Sequence, residues 1–244
     1  MAVNPIRPTD DGARRLAKTL LRTARHCSLA SLEVKDGFPS ASLASLAADI
    51  DGTPLILMSR LSNHTRNLLA DPRASLLIGD IGKGDALAHP RITLFAKARE
   101  IARPSADHAR ARRRFLAKNP KAALYVDFGD FLFVAFDIER ASLNGGFGKA
   151  FELTREDVLC DVSDAVELVE QEEAFLKNLN ASSKERLARL ATSASASGAG
   201  WRATGLDPEG IDLARGDKSA RHWFEATVGS LAAFNSAFGQ STKL

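Results

Sequence analysis

Cysteine is almost missing from this 244-residue chain: Cys27 and Cys160 are the whole complement, which excludes a disulfide framework. Two isolated thiols suit a reducing compartment. The opening stretch, Met1 to Asp11, lacks the charged start and apolar run of a secretory signal, so the expected location is cytoplasmic. No uninterrupted apolar run is long enough to span a bilayer, so no membrane partner is expected. Histidine is sparse too. His26, His64, His89, His108 and His222 are scattered, with no H-E-x-x-H or C-x-x-C spacing, and no metal site is expected. A large charge excess is also absent: 33 Lys and Arg face 30 Asp and Glu, a net of +3. That excludes the basic stripe of a nucleic-acid binder. There is no G-x-S-x-G elbow, so the Ser-x-His at Ser62 and His64 does not make a hydrolase triad. The glycine-bearing run Gly79 to Gly84 lacks the Walker spacing and leads into no helix.

What is present is ordinary globular composition, 45% hydrophobic and 26% charged, on a chain long enough to bury a core without staples. The charge is unevenly placed. Residues 161–244 hold 9 basic and 12 acidic side chains, against 24 and 18 in residues 1–160. A mildly basic front half suits an anionic small ligand or a phosphate.

Leu16, Leu20 and Leu21 recur at helical spacing, with Thr9 as the expected N-cap and Asp10 and Asp11 at the positive end of the dipole. From Cys27 the pattern alternates. Cys27–Lys35, Ser40–Ile50 and Thr53–Met58 read as three strands joined at Asp36-Gly37 and Asp51-Gly52, an antiparallel meander. A short helix at Thr65–Ala70 stops at Asp71-Pro72. Strands follow at Arg73–Ile78, at Pro90–Arg103 with a bend at Ala96, and at Phe131–Arg140. Between the last two lies a basic helix capped by Ser105. Its Arg110, Arg112, Arg113 and Arg114 read as a solvated face. Six or seven strands with few helices favour a closed or partly open antiparallel barrel.

The character shifts near Glu156–Ser163. Ala165–Leu179 and Ser183–Ala194 read as helices, with Val166, Val169, Leu176 and Leu179 on one apolar face. Trp201–Leu206, Ile211–Leu213 and His222–Phe224 read as a small sheet, and Val228–Phe238 as a closing helix. The expected fold class is α+β: a split-barrel domain over residues 1–160 and a small α/β domain over residues 161–244.

The segment Met58-Ser59-Arg60-Leu61-Ser62-Asn63-His64-Thr65-Arg66-Asn67 leaves a strand and enters a helix. It crowds hydroxyls, an imidazole and two guanidiniums at a helix start. Unpaired N–H groups and the dipole favour a phosphate there, and arginine clamps phosphate oxygens in pairs. An ordinary capped helix with solvated arginines is the other reading. His64 fits a capping or phosphate-contacting role as well as a base. The run Pro39-Ser40-Ala41-Ser42-Leu43-Ala44-Ser45 has side chains small enough for a flat ligand to lie near the backbone. Taken alone, tight barrel packing explains the run better.

From Arg25 to Phe151 these residues resemble the pyridoxamine 5′-phosphate oxidase-related, FMN-binding split barrels. The likeness is to the HugZ-type haem-utilisation branch in particular. It is carried by Ala41-Ser42-Leu43, by Ser59 to Asn67 running on into Asp71-Pro72-Arg73-Ala74-Ser75, and by Pro90-Arg91-Ile92-Thr93-Leu94. It continues in Phe128-Gly129-Asp130-Phe131 and Gly145-Gly146-Phe147-Gly148. Residues from about Val166 to Phe238 resemble the small DUF2470-like domain often fused to such barrels, above all at Trp201-Arg202-Ala203-Thr204-Gly205-Leu206-Asp207-Pro208. The resemblance implies a homodimer with flavin sites in the dimer groove. It implies that Ser59, Thr65, Arg66 and Asn67 surround the flavin phosphate, with Arg60 and His64 beside them. It also implies that Ser42 and Leu43 lie against the ribityl chain or ring.

Two departures bear on haem, the alternative ligand. Relatives carry a His-Met-Asn-x-Asp-His run where this chain has Asn178-Leu179-Asn180-Ala181-Ser182-Ser183. The tail from Phe238 to Leu244 has no histidine either. Histidine is the usual proximal ligand of haem iron, which leaves His64 and His89. Three functions therefore compete: a flavin-dependent oxidoreductase acting on a small molecule, a haem-binding or haem-degrading protein, and a non-enzymatic split-barrel module. No catalytic acid or base stands out.

Overall fold

The computed structural model describes residues 6–79, 82–146 and 148–240. Asp80 and Ile81 of the glycine-bearing loop, Phe147 of the glycine turn, Met1–Pro5 and the tail Ser241–Leu244 lie outside the described residues. The chain divides into two compact units, Met1–Leu159 and Cys160–Leu244.

The first unit opens with α1 (Asp11–Thr23). Its cap is Asp10, not Thr9. The extended Asp10 backbone lets its carboxylate accept the Ala13 N–H at 2.7 Å. Thr9 donates its hydroxyl instead to the Glu152 carbonyl at 2.9 Å. Ala13, Ala17 and Leu21, each four apart, form the buried face of α1 and join the barrel core.

Strands β1 (His26–Leu32), β2 (Pro39–Ala48) and β3 (Pro54–Ser59) follow as a meander. Its second turn needs glycine: Gly52 sits at φ +100°. Then come α2 (Asn63–Ala70), β4 (Arg73–Gly79), β5 (Arg91–Glu100), α3 (Ala106–Lys118), β6 (Phe131–Asn144), β7 (Ala150–Thr154) and the one-turn α4 (Arg155–Val158). The sheet order is β3-β2-β1-β4-β5-β6-β7, and a further β3–β6 pairing closes β1 to β6 into an antiparallel barrel. Closure removes the free edges that an open sheet would expose. The expected bend at Ala96 is a register shift between Phe95 and Ala96 on β5 against β6. Leu29, Leu46, Met58, Leu76, Leu94 and Phe136 fill the interior.

The basic helix α3 is not a solvated face. Arg114 is buried and its Nε donates to the Ala48 carbonyl at 2.8 Å. Arg110 forks onto Asp49 at 2.9 and 3.0 Å, and Arg112 forks onto Asp127. Lys118 Nζ reaches the Arg22 carbonyl at 2.6 Å. Arg110, Arg114 and Lys118 tie α3 to the ends of β2 and α1, while Phe115 packs edge-on against Phe133. Asp49 is held below its usual carboxylate pKa: burial pushes it up, and the Arg110 hydrogen bond and the charges of Arg114 and Arg110 outweigh that.

The second unit holds α5 (Val166–Ser182), α6 (Lys184–Ser193), a three-stranded sheet and α7 (Leu231–Gln240). The sheet strands are β8 (Arg202–Asp207), β9 (Gly210–Arg215) and β10 (Lys218–Trp223), ordered β10-β9-β8 and antiparallel. On the apolar face of α5, Leu176 and Leu179 are buried as expected, but Leu168 is buried in place of Val166, which is exposed, and Val169 is half-buried. Asn180 pairs with the backbone of β8 in both directions, accepting the Ala203 N–H at 2.7 Å and donating to the Ala203 carbonyl at 2.9 Å. Glu172 accepts the Leu206 N–H at 3.1 Å. Side chains of α5 thus occupy the edge of β8, which is where a sheet would otherwise recruit another strand.

Candidate functional site

The register of β3 creates the site. Its first residues pair with β2 (Pro54 with Ala48, Ile56 with Leu46), and Leu55 to Ser59 pair with β6, Ser59 opposite Phe131. Continuing the β2–β3 register would set Leu43 against Ser59. The pairing stops at Leu46 and Ile56 instead, so β2 and β3 diverge and leave a split. The far ends of both strands carry the candidate residues, and α2 begins at the split.

Ser42 pairs with Leu29 across β1 and points to the same face as the buried Ala44 and Leu46. Its Oγ is buried and has no hydrogen-bond partner. A buried hydroxyl without a partner carries a desolvation cost that a ligand atom would remove. Leu43 faces the other way and is 77% exposed. The two neighbours therefore cannot line the same wall.

At the start of α2, hydroxyls form a chain. Ser62 Oγ donates to the Ser59 carbonyl at 2.8 Å, so the 2.7 Å contact between Ser62 and Thr65 has Thr65 as its donor. Ser62 is the N-cap residue, yet its side chain makes no cap hydrogen bond to the helix. The first-turn N–H groups of α2 stay available to water or an anion. Thr65 is buried beneath them.

The remaining candidates divide. Ser59 donates to the Asp130 carboxylate at 2.6 Å. Arg60 is ion-paired with Glu100. Asn67 is buried and tied to β1, donating to Ser31 Oγ at 3.0 Å and accepting the Val34 N–H at 3.4 Å. Arg66 is exposed and donates to Asn63. With Lys35, Asn63 and Leu69 it lines a groove of about 600 Å³ between α2 and the β1–β2 hairpin. His64 is half-buried, and burial lowers its pKa below the ordinary imidazole value, so at neutral pH it brings no charge. Ser59, Ser62 and Thr65 are thus linked at the start of α2, Arg66 follows Thr65 on the helix, Ser42 lies on β2 opposite Leu29, Arg60 is paired with Glu100 and Asn67 is tied to β1. Reasoning from the sequence missed Asp130. Its signal was there, in the Phe128-Gly129-Asp130-Phe131 run, but nothing local ties it to Ser59.

A split antiparallel barrel with a helix starting at the end of β3 defines the class. Residues 14–145, more than half the chain, match the pyridoxamine 5′-phosphate oxidase family, and the chain belongs to that family. It is 40% identical over 117 residues to the chloroplastic non-canonical heme oxygenase HOZ of Arabidopsis thaliana, covering 48% of this chain but 35% of that one. The chain spans about a third of that curated relative. A protein of unknown function from Agrobacterium tumefaciens shares 34% identity at a TM-score of 0.86, covering 98% of this chain and 100% of the other. A heme binding protein from Mycobacterium smegmatis shares 26% identity at a TM-score of 0.57, covering 98% of each chain. Split-barrel proteins that bind haem are thus among its structural neighbours, as the HugZ-type resemblance implied. Among the described residues, no helix is long and apolar enough to cross a membrane.

Proposed function

We propose that this protein is a homodimeric FMN-binding oxidoreductase of the pyridoxamine 5′-phosphate oxidase type. The observation that carries the reading is the opening between β2 and β3. It offers an uncapped helix start for a phosphate and a buried, unpartnered Ser42 hydroxyl for a polar group further along the ligand. These residues fit a flavin monophosphate. The α2 N–H groups and Arg66 would hold the phosphate, and Ser42 would meet a hydroxyl of the ribityl chain. Bound there, the flavin would supply the redox chemistry, and the chain would supply orientation and shielding from water.

The dimer is proposed on the outer face of the barrel. Leu43 and Leu77 both neighbour Ser28 there, the first across β2 and the second across β4. They are 77% and 45% exposed. Exposed apolar residues on a sheet otherwise lined by small side chains are suited to a second copy. Light scattering at micromolar concentration is expected to give about twice 26.2 kDa. A stable monomer would remove both the dimer and any shared groove.

Haem is the second reading, favoured by the likeness to a heme binding protein over nearly the whole chain. The absorption spectrum of the purified full chain, titrated with FMN and with haem, separates the two. Saturable flavin bands in the blue are expected. A Soret band without flavin uptake would transfer the site to haem, and neither would favour a non-enzymatic module.

A further inference from the structure

The turn that carries the phosphate site hangs on one carboxylate. Asp130 precedes β6, and its Oδ2 accepts the Ser59 hydroxyl at 2.6 Å. Ser59 Oγ in turn accepts the Leu61 N–H at 3.1 Å. The Ser59 carbonyl accepts both the Ser62 N–H at 3.1 Å and the Ser62 hydroxyl at 2.8 Å. Ser62 then receives the Thr65 hydroxyl. The chain of bonds from strand to helix therefore runs Asp130, Ser59, then Leu61 and Ser62, then Thr65.

The position of the proton makes Ser59 a strut. A serine hydroxyl has one proton, and here Asp130 takes it. That fixes the Ser59 rotamer and aims a lone pair at Leu61. In this arrangement Ser59 cannot also donate to a phosphate. A carboxylate beside an anion site is electrostatically unfavourable, so what Asp130 contributes there is its capacity to accept, not its charge.

We infer that Asp130 is a positioning residue. Through Ser59 it sets the β3–α2 turn so that the first-turn N–H groups of α2 converge on an anion. The inference rests on the flavin-phosphate reading for the identity of that anion. Asp130 is half-buried, and its carbonyl separately accepts the Arg60 N–H at 2.8 Å. Truncating the side chain leaves that backbone bond in place.

Asp130→Ala and Asp130→Asn in the full chain separate the possibilities. Asp130→Ala is expected to weaken FMN binding about tenfold, the effect of losing one hydrogen bond to a charged group. Riboflavin, which has no phosphate, should change little. Asp130→Asn keeps an acceptor oxygen and removes the charge, so FMN affinity should equal or exceed that of the wild type. Amide hydrogen exchange without ligand supplies an arm independent of flavin. Leu61 and Ser62 should exchange faster in Asp130→Ala and at the wild-type rate in Asp130→Asn. If the wild type binds no FMN, the flavin reading falls and the exchange arm alone decides the positioning role. Equal losses in both variants, or unchanged exchange at Leu61 and Ser62 in Asp130→Ala, would overturn it.

Discussion

Asp207→Ala should destabilise the C-terminal unit by roughly 3–5 kcal/mol, the usual cost of stranding one member of a buried ion cluster. Arg221, on β10, has no exposed side-chain surface. Its Nη1 and Nη2 donate to the two oxygens of Asp207 at 2.7 and 2.8 Å, and Nη1 also donates to Asp212 at 2.8 Å. Burial pulls the guanidinium pKa down, but the charges and hydrogen bonds of the two aspartates more than offset that, and the net direction is up. Asp207 also accepts the Glu209 N–H at 2.8 Å, which shapes the turn from β8 to β9. Removing its carboxylate breaks three charge-assisted bonds at once and leaves a buried cation with Asp212 as its remaining carboxylate.

Both tryptophans of the chain, Trp201 and Trp223, belong to this unit. Tryptophan fluorescence in urea therefore reports on it without interference from the barrel. The mutant transition should move to markedly lower urea at an unchanged slope. The triple variant Asp207→Leu, Asp212→Asn and Arg221→Met should recover part of the loss, since it removes all three charges of the cluster together. A single mutant that melts with the wild type would mean that the cluster is hydrated and contributes little. Among the described residues, Cys160, Asp207 and Glu209 bring ligand-type atoms within 4.8 Å of one another. Of these, Asp207 is already committed to Arg221.

The local signals in the sequence survive folding where a turn or a bond of short range decides the outcome. Asp51-Gly52 makes its turn because Asp51 accepts from the Thr53 N–H and hydroxyl while Gly52 supplies the positive φ. Ser105 caps α3 by accepting the His108 N–H three residues on. The family likeness holds for the same reason: the order of strands and turns is written locally and survives much change elsewhere.

Long-range pairing defeated the sequence reading. Ser59 and Asp130 are 71 positions apart, Arg110 and Asp49 are 61, and Asn67 and Ser31 are 36. The first meeting depends on barrel closure, where β3 leaves β2 for β6; the other two depend on how α3 and α2 pack on the barrel. Residue type alone reads Arg110 to Arg114 as solvated, whereas Arg110 and Arg114 anchor α3 to the end of β2. Strand alternation sends the neighbouring Ser42 and Leu43 side chains to opposite faces of β2, which residue types alone do not show.

Arg66→Ala should weaken FMN binding about 10- to 100-fold while leaving riboflavin nearly untouched. Loss of a charge-assisted contact costs about 1.5–3 kcal/mol, and each 1.4 kcal/mol is about tenfold in affinity. Arg66 now donates to Asn63 on the surface of α2, so the free protein loses little when it is removed. With His64 uncharged at neutral pH and Arg60 paired with Glu100, Arg66 is the cation on α2 best placed to meet a phosphate. Arg66→Lys should fall between wild type and alanine, because an ammonium keeps the charge and loses the planar fork. Raising the salt should shrink the difference between wild type and Arg66→Ala, since an exposed charge pair is screened. Titration by quenching of flavin fluorescence measures both ligands. If riboflavin suffers as much as FMN, the arginine acts on the ring or on the fold. If neither ligand responds, the phosphate is held by the α2 backbone alone, and the contribution of the guanidinium is zero.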